Sequence, residues 1–345
     1  MRIGIVGDIM LGRRVESKES SNLISPDLLN LMRSCDIMCA NLEGPITELA
    51  TAESVASKPE SIGILNTLSL VSIANNHITD YGIDGIQETI KHLSTNGIKY
   101  TGLSPEEYSP YTPLVIRSQE SDVAFFGCVS EDLQNDPKST YKISFLENRL
   151  LKESISAAKE EGISNIVVLA HCGIDYMGLP TKKIISLTEE LIDAGANIVI
   201  TNHPHVIGGY KYYKNGLIWF SLGDFIFDSD SSVRKKSVFL VMEMNEDRIE
   251  KLSFYPTVIL DSLIVELAFR DTEKEIRNTV RKNSRFISKK TYSVLFPVEA
   301  TRRLLFFQIG RIFEQYKRNG LKRTSRQLFR RVKYFPKYIR RIFRS

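Results

Sequence analysis

Short apolar runs rich in β-branched residues recur along the chain as far as about Leu260, with helical patterns between them. "RIGIVG", "CDIMCAN", "LSLVSIANN", "DVAFFGCV", "NIVVLAHC", "ANIVIT", "LIWFSLGDF" and "SVFLVMEM" are such runs. Near-continuous apolar runs suit strands covered on both faces. Between them, Gly82 to Ile98 sets Ile83, Ile86, Ile90 and Leu93 at helical spacing. "LENRLLKESISAAKEEGI" and "TKKIISLTEELIDAGA" behave alike, and each segment reaches a glycine, a common helix stop. This alternation predicts an α/β architecture.

In such sheets ligands sit beyond the carboxyl ends of the strands. The polar residues directly after the runs are therefore the chemically interesting ones. They are Asp8, Asn41, Glu43, the stretch Asn75 to Asp80, His171, His203, His205 and Asp224. The chain has five histidines, and only His92 falls on a helical pattern instead.

Each group has a chemical and a plain reading. Asp8 can ligate a divalent cation, and Arg13 can grip an anionic substrate; alone they read as a turn aspartate and a surface arginine. Glu43 can join Asp8, or sit in an ordinary loop. In "ANNHITDYG", Asn75 is a candidate substrate contact and the amide oxygen of Asn76 can ligate a metal. His77 can protonate a leaving group, with Asp80 holding its imidazole. Asp80 can instead cap the helix that begins near Gly82. His171 is a ligand or a structural histidine, and Cys172 is a small buried thiol or a zinc ligand. In "NHPHV", extended backbone would turn His203 and His205 to one side, with Pro204 holding that geometry. Taken together, these residues suit one site with mixed oxygen and nitrogen ligands for Mn, Zn or Fe, one or two ions. Hydrolysis of a phosphoester or an amide is the natural chemistry of such a site.

The motifs "GDIMLGR", "NLEGPIT", "ANNHITDYGIDGI", "AHCGIDY" and "AGANIVITNHPHVIGGYKYYKNGLIWFSLGDFIFD" resemble, in order, the signature segments of the CapA family of capsule and poly-γ-glutamate biosynthesis proteins. The resemblance implies a layered α/β/β/α sandwich of metallophosphoesterase type over residues 1–262. It implies that Asp8, Glu43, Asn76, His171, His203 and His205 surround a one- or two-metal centre. It makes His77 the acid beside the scissile group, and places Asp80 and Arg13 at further signature positions. It also implies an anionic polymer or phosphorylated substrate, and polymer synthesis machinery as partner. A non-catalytic accessory protein that keeps the fold is the alternative. Met10 stands where related phosphoesterases have histidine, Asp175 where the family has glutamate, and Asp224 where asparagine is common.

Charge divides the chain. Residues 270–345 hold 23 basic and 5 acidic residues, whereas the preceding 269 hold 23 and 36. Residues 263–345 read as a basic, amphipathic helical C-terminal extension. Leu305, Ile309, Ile312 and Tyr316 form one helical stripe, and Leu328, Val332, Phe335, Ile339, Ile342 and Phe343 another. A basic face beside an aromatic-aliphatic face fits an anionic membrane surface; packing on the protein is the plain reading. No nucleic-acid motif accompanies it. The start of the chain reads as a strand rather than a secretory signal, and no run reaches membrane-span length, so a cytoplasmic protein, peripheral at the inner membrane face, is expected. Cys35, Cys39, Cys128 and Cys172 show no paired spacing and read as reduced thiols.

Overall fold

The computed structural model describes residues 1–18, 23–118, 121–133, 140–246 and 248–307, with Ile309 and Ile342. In chain order the strands are β1 (Arg2–Ile9), β2 (Ile37–Leu42), β3 (Leu70–Ser72), β4 (Lys99–Thr101), β5 (Leu103–Pro105), β6 (Leu114–Ile116), β7 (Val123–Val129) and β8 (Tyr141–Ile143). They continue with β9 (Asn165–His171), β10 (Ile198–Asn202), β11 (Tyr210–Tyr213), β12 (Gly216–Phe220), β13 (Asp224–Ile226), β14 (Lys236–Asn245), β15 (Arg248–Ile259) and β16 (Val265–Leu267). The helices are α1 (Pro26–Arg33), α2 (Gly82–Thr95), α3 (Arg149–Glu160), α4 (Lys182–Asp193) and α5 (Arg270–Ile287).

Two sheets face each other. One runs β16-β15-β14-β1-β2-β3-β4 with β13 beside β1; the other runs β11-β12-β10-β9-β7-β6. Strands β1 to β4 are parallel, as are β7, β9, β10 and β12. Side chains alternate across each strand, so each sheet feeds two cores. Ile3 and Ile5 of the first sheet meet Phe125, Val167, Leu169 and Trp219 of the second in the central layer. On the outer side of the second sheet, Phe126, Ile166 and Val168 pack against Leu151 and Ile155 of α3 and Leu191 of α4. On the outer side of the first, Met38 and Val71 share a core with Met32 of α1 and with Ile86 and Leu93 of α2. The expected α/β/β/α sandwich is thus present, because apolar residues on both faces of both sheets need helices outside as well as each other inside. Asn148 and Thr181 start α3 and α4 by accepting from the Leu150 and Ile184 N–H groups.

Two local features aim the first strand. The β1–β2 register shifts between Ile5 and Asp8, which breaks the alternation where Asp8 leaves the core. Gly7 then lets the Gly223 backbone approach so closely that a Cβ would lie 1.8 Å from its carbonyl oxygen. The Asp8 N–H bonds that carbonyl at 3.2 Å, and Asp8 comes into register with Asp224.

The first sheet reaches past 262, where the extension was expected to begin, since β16 completes its edge. Asn283 of α5 donates to the Ile207 and Gly208 carbonyls, which ties that helix to the second sheet. Residues 292–307 are helical and bury Phe296, Ala300 and Leu304. Leu305 and Ile309 of the first expected stripe are exposed, and Ile342 of the second is buried. The other stripe residues lie outside the described residues. The four cysteines are free thiols. No helix among the described residues is long and apolar enough to cross a membrane.

Candidate metal centre

The carboxyl ends of β1, β2, β3, β9 and β10 point to one place, and the strand-end residues meet there. Asp8, Glu43, His171, His203 and His205 are all buried. Three interlocking groups of ligand-type side chains converge: Asp8 with Glu43 and His171, Asp8 with His205 and Asp224, and Asp175 with His203 and His205.

Distances describe the cluster. Glu43 Oε1 lies 3.5 Å from His205 Nε2 and 3.8 Å from His77 Nε2. Asp8 Oδ2 lies 3.7 Å from His205 Nδ1, and Asp175 Oδ1 lies 3.7 Å from His203 Nε2. Asn76 Oδ1 is 2.8 Å from His171 Nε2. Ligand bonds of ~2.0–2.2 Å put neighbouring donor atoms on one ion roughly 3–4 Å apart, so this spacing fits a shared cation. Glu43 Oε2 and His171 Nδ1 are buried without a hydrogen-bond partner, which costs about 1–3 kcal/mol each unless something else is bound. The oxygen and nitrogen donors suit a divalent transition metal. The residues present therefore fit the metal that the resemblance implies.

The electrostatics agree. Burial, and then the Asp224 charge, push Asp8 up to about 7. Burial alone raises Asp224 to about 7 against the pull of Arg234. Glu43 is held well above the usual carboxylate range by burial and by its acidic neighbours. Packed carboxylates resist ionising together, and a cation among them removes the conflict. Burial and neighbouring histidines hold His171 well below its ordinary value; burial and Arg234 do the same to His205. Both imidazoles are neutral at pH 7, the form that ligates metal.

The "NHPHV" backbone is not extended. His203 has φ 100° and His205 φ 59°, both in the left-handed region. The rings still converge, with centroids 5.7 Å apart, but through two unusual turns rather than strand alternation. Such strain persists where surrounding structure overrides it, commonly at functional sites. The Asp8 carboxylate supplies one restraint by accepting from the His203 backbone N–H at 3.2 Å.

His77 stands at the opening, its side chain 28% exposed. Its Nδ1 is 2.8 Å from Asp80 Oδ2. Helix α2 starts after Tyr81, with no side-chain cap, so Asp80 takes the imidazole-holding role of its two readings. Asn75 is fully buried; it donates to the Leu42 carbonyl at 2.7 Å and accepts from the His77 N–H at 3.1 Å. Its polar atoms hold the loop that carries His77. Arg13, at φ 59°, donates from Nε to the Glu53 carbonyl. Cys172 is buried in the outer core beside α3 and α4 and belongs to none of the three ligand groups.

Three partners escaped the list of candidate ligands. Asn41 donates to Asp8 Oδ1 at 2.8 Å. Asp224 Oδ1 is 2.8 Å from His205 Nδ1, and Arg234 bonds Asp224 Oδ2 from Nε at 2.9 Å. Asn41 and Asp224 carried the strand-end signal. Arg234, in "SSVRKKS", carried none.

The family described as "Bacterial capsule synthesis protein PGA_cap" matches residues 2–229. The capsule biosynthesis protein CapA of Bacillus anthracis is 27% identical over 277 residues, covering 73% of this chain and 66% of that protein. The PGA biosynthesis protein CapA of Bacillus subtilis (strain 168) is 25% identical over 306 residues, covering 82% and 78%. Among solved structures, the calcineurin-like phosphoesterase YfkN from Bacillus subtilis overlaps at a TM-score of 0.46 with 15% identity, covering 84% of this chain and 99% of that one.

Proposed function

The chain belongs to the bacterial capsule synthesis protein family PGA_cap, and on that premise we propose that it is a metal-dependent hydrolase of capsule or exopolymer synthesis or export. Its bond is a phosphoester or an amide, and its polymer a poly-γ-glutamate or a polysaccharide. The observation that carries this reading is the convergence of Asp8, Glu43, His171, His203 and His205 in a buried site where Glu43 Oε2 and His171 Nδ1 have no hydrogen-bond partner.

Asp8, Glu43, Asn76, His171, His203 and His205 would hold a divalent ion, which would make water nucleophilic at neutral pH and offset developing negative charge. The residues of the chain do the rest. Neutral His171 and His205 present lone pairs, and Asn76 bonds His171. Asp80 fixes the His77 ring so that its Nε2 faces Glu43 at the partly open rim, placed to give a proton to a leaving oxygen or nitrogen. A cleft of about 470 Å³ adjoins the centre at Tyr176 and Val206. Its wall carries Lys236, Lys282, Arg302 and Arg303 beside Glu275; Lys236 pairs with Glu275 and both arginines with Glu299, and the excess of basic groups favours an anionic polymer segment.

The test is a phosphoesterase and peptidase screen of Mn- or Zn-loaded full-length protein. Chelator-sensitive turnover is expected, with His77→Gln lowering kcat by about 10²–10⁴ while metal content stays at the wild-type level. Metal-loaded protein inert on every substrate would support the accessory reading, which Met10, fully buried and offering only a thioether, favours.

The basic extension is proposed to hold the protein at the cytoplasmic face of an anionic membrane. Val294, Val298, Leu305, Phe306 and Ile309 are exposed, and residues 301–345 carry 15 basic side chains against one acidic. Each basic residue near such a surface contributes about 1 kcal/mol. Full-length protein should pellet with phosphatidylserine-containing vesicles, and truncation before Thr301 should abolish it; equal pelleting of both forms refutes the attachment.

A further inference from the structure

Arg234 is a buried charge that the hydrolase reading does not use. It is 9% exposed. Its Nε donates to Asp224 Oδ2 at 2.9 Å, and its Nη2 lies 2.8 Å from the same oxygen. Its guanidinium stacks 4.5 Å from the Phe227 ring centroid and 5.7 Å from that of Tyr176. The other Asp224 oxygen, Oδ1, sits 2.8 Å from His205 Nδ1. Both oxygens of Asp224 are therefore engaged by donors of the chain itself.

A carboxylate held in this way orients a histidine rather than binding an ion. With Nδ1–H donated to Asp224, the His205 Nε2 lone pair faces Glu43 Oε1, 3.5 Å away. Two of the three converging groups then differ in kind. The group of Asp8, His205 and Asp224 already contains the partner of a cation, whereas in the group of Asp8, Glu43 and His171 the atoms Glu43 Oε2 and His171 Nδ1 have no hydrogen-bond partner. Two residues after Asp8, Met10 turns its sulfur to the Gly12 N–H at 3.1 Å and gives the group of Asp8, His205 and Asp224 no oxygen or nitrogen donor.

We propose that Arg234 is a positioning residue that takes the electrostatic place of a second metal ion: through Asp224 it orients His205, and its charge limits the centre to one divalent ion, held among Asp8, Glu43, His171 and the Nε2 of His205. This inference rests on the metal-dependent reading above. It assigns specificity in ion number to a residue outside the strand ends.

The experiment is metal stoichiometry on the chelator-stripped full-length chain, titrated with Mn²⁺ and separately with Zn²⁺, by calorimetry and by elemental analysis after gel filtration. One ion per chain is expected for the wild type and for Arg234→Lys, which keeps the charge. Two ions are expected for Arg234→Met, where Asp224 is released to ligate. Two ions on the wild type, or a single ion on folded Arg234→Met, would overturn the inference. Should Arg234→Met not fold, the wild type and Arg234→Lys decide it, since a second ion on either refutes it. A wild type that binds no ion defeats the metal-dependent reading as well, so the two failures are distinguishable.

Discussion

His205 shows how the centre is set residue by residue. One ring nitrogen lies 2.8 Å from Asp224 and the other 3.5 Å from Glu43, so the imidazole is fixed between an orienting acid and a ligand acid. Protons compete with a metal for the same atoms, and the direction follows from the shifts. Asp8 and Asp224 titrate near 7 in the folded protein, well above their ordinary 3.8. A raised folded pKa gives stability that is complete below the unfolded value and is lost as pH rises through the folded one. His171 and His205 are shifted downward, so their contribution is complete above about 6.5 and is lost only at lower pH. Between pH 6.5 and 8 the aspartates therefore dominate the difference. Metal-free protein should lose on the order of 1 kcal/mol per aspartate over that range, while affinity for Mn²⁺ tightens. Urea melts of stripped protein and calorimetry at both pH values check this; affinity independent of pH would contradict it. Most of these residues were readable from the sequence because each follows an apolar run. Arg234 was not, because its burial comes from contacts with Asp224, Phe227 and Tyr176, the last more than fifty residues away.

The strand ends bring these residues together, and β1 is the demanding one. Its last turn must pass the Gly223 backbone, where Gly223 itself adopts φ +83°. Gly7→Ala would force a methyl onto that carbonyl and part β1 from β13, displacing Asp8 from Asp224. A loss of about 1–3 kcal/mol is expected, as in other overpacked sites. Denaturant melts read it directly, and an unchanged midpoint would show that the approach is not a constraint. The runs predicted strands and the amphipathic segments predicted helices, and both are present, since periodicity reports burial on one face or two. The backbone at His203 and His205 departs from the extended form that Pro204 and the preceding strand suggest. Pro204 does restrict its neighbour, but the Asp8 bond to the His203 N–H and the packing around Pro204 come from elsewhere in the chain. Local sequence cannot report such bonds.

At the scale of the whole molecule, two sheets with helices outside leave one edge where parallel strands end together, and the family signatures mark that edge. The C-terminal helices join it: Phe307 stacks on Tyr176 at 4.2 Å, and Tyr176 lies 6.4 Å from His205. The helical segment after α5 thus forms one wall of the approach to the centre. A metal that binds only the folded state would tie the sandwich together, raising stability by about 2.7 kcal/mol at a hundredfold excess over Kd. The central claim is that the strand-end cluster holds a divalent ion. Elemental analysis of purified full-length protein, beside a His203→Ala/His205→Ala double variant, tests it most directly. The account predicts a stoichiometric divalent metal in the wild type and its loss from the folded variant. A wild type that retains no metal under any loading condition, or a variant that retains it fully, would contradict it.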